Sequence, residues 1–112
     1  MSERLLARRC IPCKGGVPPL GAAEIAPLEK ELGEEWDVID GHHLFREFKF
    51  KNFAQALAFT AKIGAIAEDQ QHHPDIHLAW GSVGVEIWTH KINGLTESDF
   101  VLAAKFSQAY SS

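Results

Sequence analysis

The chain is short of basic residues, of sulfur and of long apolar runs, and each shortage removes a class of function. Lys and Arg number 11 against 15 Asp and Glu, a net charge of −4. That balance argues against a generic grip on nucleic acid or anionic lipid, both of which want a basic surface. No apolar run approaches the roughly 18 residues a membrane helix needs. Between Arg4 and Arg8 only Leu5, Leu6 and Ala7 intervene, too few for the apolar stretch of a signal peptide, so a cytoplasmic location is expected. The only two cysteines, Cys10 and Cys13, form a C-x-x-C pair with no second knuckle to complete four zinc ligands, and the adjacent His42-His43 is a poor substitute. A redox reading wants such a pair between a strand and a helix, whereas Pro12 and Gly15-Gly16 surround this one with loop.

What is present is an ordinary globular composition with six histidines. The 46% hydrophobic and 23% charged fractions fit neither disorder nor a fibrous repeat, and 112 residues fit one core. Residues 1–20 are rich in Pro and Gly without an apolar period and read as a loop or arm, with the folded domain over residues 21–112. A helix is expected over Ala22–Leu32, with Ile25, Leu28 and Leu32 on one face and Gly33 ending it. Residues 36–40 and 43–50 read as a hairpin about Asp40-Gly41. In its second strand Leu44, Phe48 and Phe50 share a face, and Phe45 and Arg46 break the alternation. Asn52 can cap a long helix over residues 53–68, which Pro74 stops. A second hairpin follows: Ile76, Leu78 and Trp80 alternate, Gly81-Ser82 turns the chain, and Val83, Val85 and Ile87 alternate again. Thr96 with Asp99 three residues on resembles a capping box, starting a helix that carries Phe100, Leu102, Ala103, Phe106 and Tyr110. The order α-β-β-α-β-β-α predicts a two-layer α+β fold, a four-stranded antiparallel sheet with helices on one face.

The histidines divide by context. His42 and His43 sit at a turn with no positioned partner nearby in sequence, and His77 reads as a solvated strand residue. The run Glu68-Asp69-Gln70-Gln71-His72-His73-Pro74 differs. If the helix persists to His72, Glu68 lies at i−4 and can orient that imidazole, while Pro74 forces His73 into an extended conformation. His90 has the opposite parity to Val83, Val85 and Ile87, so it leaves their face or ends the strand at its rim. Such a cluster suits proton transfer near neutral pH; a histidine metal site and a solvated surface are the other readings.

Glu68, His72-His73-Pro74, Trp80, His90 and Asp99, with gaps of three, five, nine and eight residues, resemble the fixed pattern of the pterin-4a-carbinolamine dehydratases. Residues 45–50, Asn52-Phe53 and Thr89-His90 with Gly94-Leu95-Thr96 fit the same family, and the resemblance runs from about Leu20 to the C-terminus. It implies dehydration of 4a-hydroxytetrahydropterin to quinonoid dihydropterin in cofactor recycling, with no cofactor and no metal. His72 and His90 are then the acid/base pair, and His73 holds the pterin near the departing hydroxyl. Glu68 and Asp99 support the imidazoles, and Pro74, Trp80 and Thr89 complete the substrate surroundings. The resemblance also implies a homodimer or homotetramer, and a pterin-dependent hydroxylase as a partner. The competing class is a protein-binding module, since family members also serve as dimerisation cofactors of a transcription factor.

Overall fold

The structure, a computed structural model, describes residues 3–11 and 15–111. Its elements in chain order are α1 (Glu3–Ala7), α2 (Ala22–Leu32), β1 (Asp37–Ile39), β2 (His43–Lys49), α3 (Phe53–Gln70), β3 (Asp75–Ala79), β4 (Ser82–Ile87), a 3₁₀ turn (His90–Ile92) and α4 (Glu97–Ser111). The four strands form one antiparallel sheet in the order β1-β2-β4-β3. This is the expected α+β architecture, with one addition: the N-terminal arm carries a helix, α1, where only loop was foreseen. Leu5 is its one buried residue, with Leu6 partly buried against the core, and a five-residue element leaves little periodicity to read.

Residue type explains the joints. Asp40 and Gly41 both take positive φ (54° and 64°), a conformation that Asp and Gly tolerate and that turns β1 into β2. Asn52 caps α3 by accepting from the Gln55 amide at 2.9 Å. The helix runs two residues past the expected end and stops where Gln71 adopts the left-handed conformation (φ 54°). At the second hairpin the turn is Trp80-Gly81, since Ala79 pairs with Ser82. Trp80 is therefore not a strand residue as its alternation suggested.

The core lies between the sheet and the helices. Leu44, Phe48, Val83, Val85 and Ile87 face it from the sheet, and Ile63, Phe100, Leu102 and Phe106 from α3 and α4. Arg46 occupies a core-facing position of β2 between Leu44 and Phe48. It is tolerated because its Nη1 donates to Ser107 Oγ at 2.9 Å and its guanidinium lies over the Phe48 ring at 4.3 Å. Ser107 Oγ also accepts from the buried Trp36 Nε1 at 2.8 Å.

Candidate active site

Asp99 anchors the site. It lies in the first turn of α4 with no solvent exposure, so its charge must be met by donors. Oδ1 accepts from His72 Nε2 at 2.6 Å; Oδ2 accepts from the Thr89 hydroxyl at 2.9 Å and the Thr96 amide at 2.8 Å. The last contact is one half of the anticipated capping box. The other half is redirected: Thr96 Oγ1 lies 3.1 Å from Thr89 Oγ1. Because the Thr89 hydroxyl donates to Asp99, it accepts from Thr96. A carboxylate only accepts, so His72 donates from Nε2 and leaves Nδ1 to exchange a proton with a ligand.

Two assignments move. The helix does not persist to His72, because Gln71 turns left-handed first, and the carboxylate that orients His72 is Asp99 from across the fold, not Glu68 at i−4. Glu68 instead lies 3.5 Å from His73 Nε2, with both side chains more than half exposed, a contact of little energetic weight. The resemblance places Thr89 among the substrate surroundings, yet it is buried and its hydroxyl serves Asp99, the carboxylate that supports His72.

His90 follows Thr89 directly, placing it one residue from the Asp99 network, at the rim rather than in the strand. It is exposed and its ring packs on Trp88 with centroids 4.3 Å apart. The loop carrying it is closed by paired Thr89 and Gly94 backbones and docks on the arm so closely that a Cβ at Gly94 would stand 2.5 Å from Pro19 Cβ. Pro74 precedes β3 beside His72. Trp80 is 69% exposed at the far end of that strand, about 17 Å of chain away. Within one chain the structure thus gathers His72, Thr89 and Asp99, sets His73, Pro74 and His90 beside them in sequence, and leaves Trp80 apart.

Sequence reading missed what surrounds His90. His42 Nε2 bonds Asn93 Oδ1 at 2.8 Å in the same loop and its ring lies 5.4 Å from Trp88. His43 and His77 both reach Glu86, at 3.6 and 3.0 Å. These partners are remote in sequence, and strand register alone could have suggested only the His77–Glu86 proximity. Of the cysteines, Cys10 is buried and Cys13 lies outside the described residues. Among the described residues no three His, Cys, Asp or Glu side chains converge as metal ligands.

The sequence model of the pterin 4 alpha carbinolamine dehydratase family matches residues 18–109. The chain belongs to this family. A relative from Rickettsia canadensis, provisionally named a pterin-4-alpha-carbinolamine dehydratase, is 57% identical over 101 residues, covering 90% of this chain and 93% of its own. Another with the same provisional name, from Alkaliphilus metalliredigens, is 54% identical and covers 97% and 98%. Among solved structures, a transcriptional coactivator/pterin dehydratase from Brucella melitensis superposes with a TM-score of 0.74 at 34% identity, over 81% of this chain and 97% of that one. A pterin dehydratase-like protein identified as a RuBisCO assembly factor of the α-carboxysome shares the fold (TM-score 0.60) at 23% identity, over 72% and 95% of the two chains. Among the described residues no helix of this dehydratase-family chain is long and apolar enough to cross a membrane.

Proposed function

We propose that this chain dehydrates 4a-hydroxytetrahydropterin to quinonoid dihydropterin by histidine general acid/base catalysis. The observation carrying the reading is the 2.6 Å contact from His72 Nε2 to an Asp99 that is fully buried and held by two further donors. That arrangement fixes one imidazole in orientation and tautomer, as a proton-transfer group requires. In the reaction a ring-nitrogen lone pair forms the C=N bond as the C4a–O bond breaks. The oxygen takes a proton and leaves as water, and the ring nitrogen gives up its own proton. His72 and His90 are the groups that deliver and collect these protons, with His73 and Pro74 beside the substrate. The chemistry needs no electrophile beyond an acid, which agrees with a site built of imidazoles and one buried carboxylate.

The test is dehydration of enzymatically generated 4a-hydroxytetrahydropterin, followed spectroscopically. His72→Ala and His90→Ala should each slow turnover on the order of 10²-fold, and the double variant should approach the buffer rate. Wild-type protein that does not outpace buffer overturns the reading. With this activity go a cytoplasmic, homo-oligomeric state and a pterin-dependent hydroxylase as the source of substrate. The coactivator half of the Brucella neighbour's name supports one second reading, a protein-binding module. That reading gains if a catalytically dead His72→Ala chain still performs its cellular role.

A further inference from the structure

The two residues of the central contact stand on different elements. His72 lies two residues beyond the end of α3, and Asp99 is in the first turn of α4. Their spacing depends on how firmly the C-terminus of α3 is held against the N-terminus of α4. The N-terminal arm crosses this joint, and residues 9–11 lie outside the stretch matched by the family model.

The contacts are directional, and the two made by Cys10 are buried. The Cys10 amide donates to Gln70 Oε1 at 2.9 Å, gripping the last residue of α3. The Ile11 amide donates to Ser98 Oγ at 2.8 Å, gripping the residue before Asp99. Cys10 Sγ lies 3.4 Å from the Ser98 carbonyl. Burial pushes the Cys10 thiol up to about 11, so at neutral pH it keeps its proton and can donate there. Arg9 Nη2 donates to the Asp69 carbonyl at 3.0 Å, where a cation suits the end of a helix. Gln70, Ser98 and Cys10 are buried, so the two bonds that Cys10 makes are shielded from water, while the Arg9 contact lies at the surface. Upstream, Leu5 is buried and Lys105 Nζ donates to the Leu6 carbonyl at 2.8 Å, which pins the arm before it reaches the joint.

We infer that residues 9–11 form a strap that holds α3 to α4 and thereby sets the His72–Asp99 contact, making Gln70 and Ser98 positioning residues. The inference rests on the dehydratase reading for its effect on turnover, but not for its effect on the contact. A short N–H···O⁻ bond weakens steeply with distance and angle, and a misplacement of about 1 Å at a reacting group can cost about 10²-fold in rate.

The experiment compares wild type with Ser98→Ala, Gln70→Leu and the exposed Arg9→Ala, chosen as the variant best able to keep the fold. Two readouts are taken: the downfield NMR resonance of the His72 imidazole N–H in the unliganded protein, and kcat and KM for the pterin carbinolamine. Ser98→Ala and Gln70→Leu should broaden or abolish the resonance and lower kcat about tenfold with KM nearly unchanged. Arg9→Ala should weaken both in the same direction, and Ser98→Thr should restore them. Asn52→Ala, which destabilises α3 at its other end, should lower Tm with the resonance and kcat intact. If the strap variants lose Tm but keep resonance and kcat, or if Arg9→Ala alone folds and changes neither, the strap is structural only and the inference fails. If wild-type protein has no dehydratase activity yet its resonance responds to Ser98→Ala, the positioning role stands and the assigned reaction falls.

Discussion

Asp99 is one side chain with three donors, and its two oxygens are not interchangeable. Oδ2 faces a hydroxyl and an amide that both donate, so an amide placed there must turn its oxygen to them and its NH₂ to His72. In Asp99→Asn the imidazole is then forced to accept at Nε2 and to carry its proton on Nδ1, the reverse of the native tautomer. We expect kcat to fall about 10²-fold or more. Stability should fall by only about 1–3 kcal/mol, because two of the three hydrogen bonds persist. Steady-state kinetics beside urea unfolding of the same preparation check both; an Asn variant with native turnover would show that the His72 tautomer does not matter. The carboxylate's dual use was half legible in sequence. Thr96 and Asp99 announced a helix start, but nothing local could say that the same carboxylate reaches His72, 27 residues away.

At the scale of elements, α3 connects a cap with the terminus that leads into His72. Its 18 residues span about 27 Å, so Asn52 and His72 stand at opposite ends. The cap contributes through one hydrogen bond to the Gln55 amide, and Asn52→Ala should cost about 1 kcal/mol in chemical denaturation with turnover unchanged. A parallel loss of activity would mean that fraying at one end reaches the other. The cap was legible because Asn in extended backbone before an apolar period is a local signal. The end was not: Pro74 signalled a stop, but the left-handed Gln71 that sets where His72 points has no distinctive residue type. Similarly, alternation placed Trp80 in a strand because a period of two continues smoothly into a two-residue turn.

For the whole molecule, Ser107 joins sheet to helix. Its hydroxyl oxygen receives Trp36 Nε1 at 2.8 Å and Arg46 Nη1 at 2.9 Å, both reaching α4 from the sheet side. Ser107→Ala leaves an indole N–H buried without its acceptor and loosens a guanidinium that sits among aromatic rings. We expect a loss of about 1–3 kcal/mol, measured by urea unfolding, with Tm falling in step. An unchanged midpoint would mean that water replaces the hydroxyl at both donors. Arg46 itself appeared in sequence as a break in the core pattern of β2, and the fold accounts for it. Burial lowers its pKa, which is tolerable because a guanidinium titrates far above neutrality.

By itself the sequence determined the α+β class, the antiparallel hairpins and the helix caps. Each of these follows from short-range rules: a period of two or 3.6, an Asp-Gly turn, an Asn or Thr before an apolar run. It also determined which histidines share a family pattern, because spacing is a property of the chain alone. Only the tertiary structure decided which carboxylate serves which imidazole, that Thr89 works through Asp99, and that the arm bridges the ends of α3 and α4. Those choices turn on hydrogen bonds a few ångströms long between residues 10 to 88 positions apart, formed only where the packed core brings the elements together.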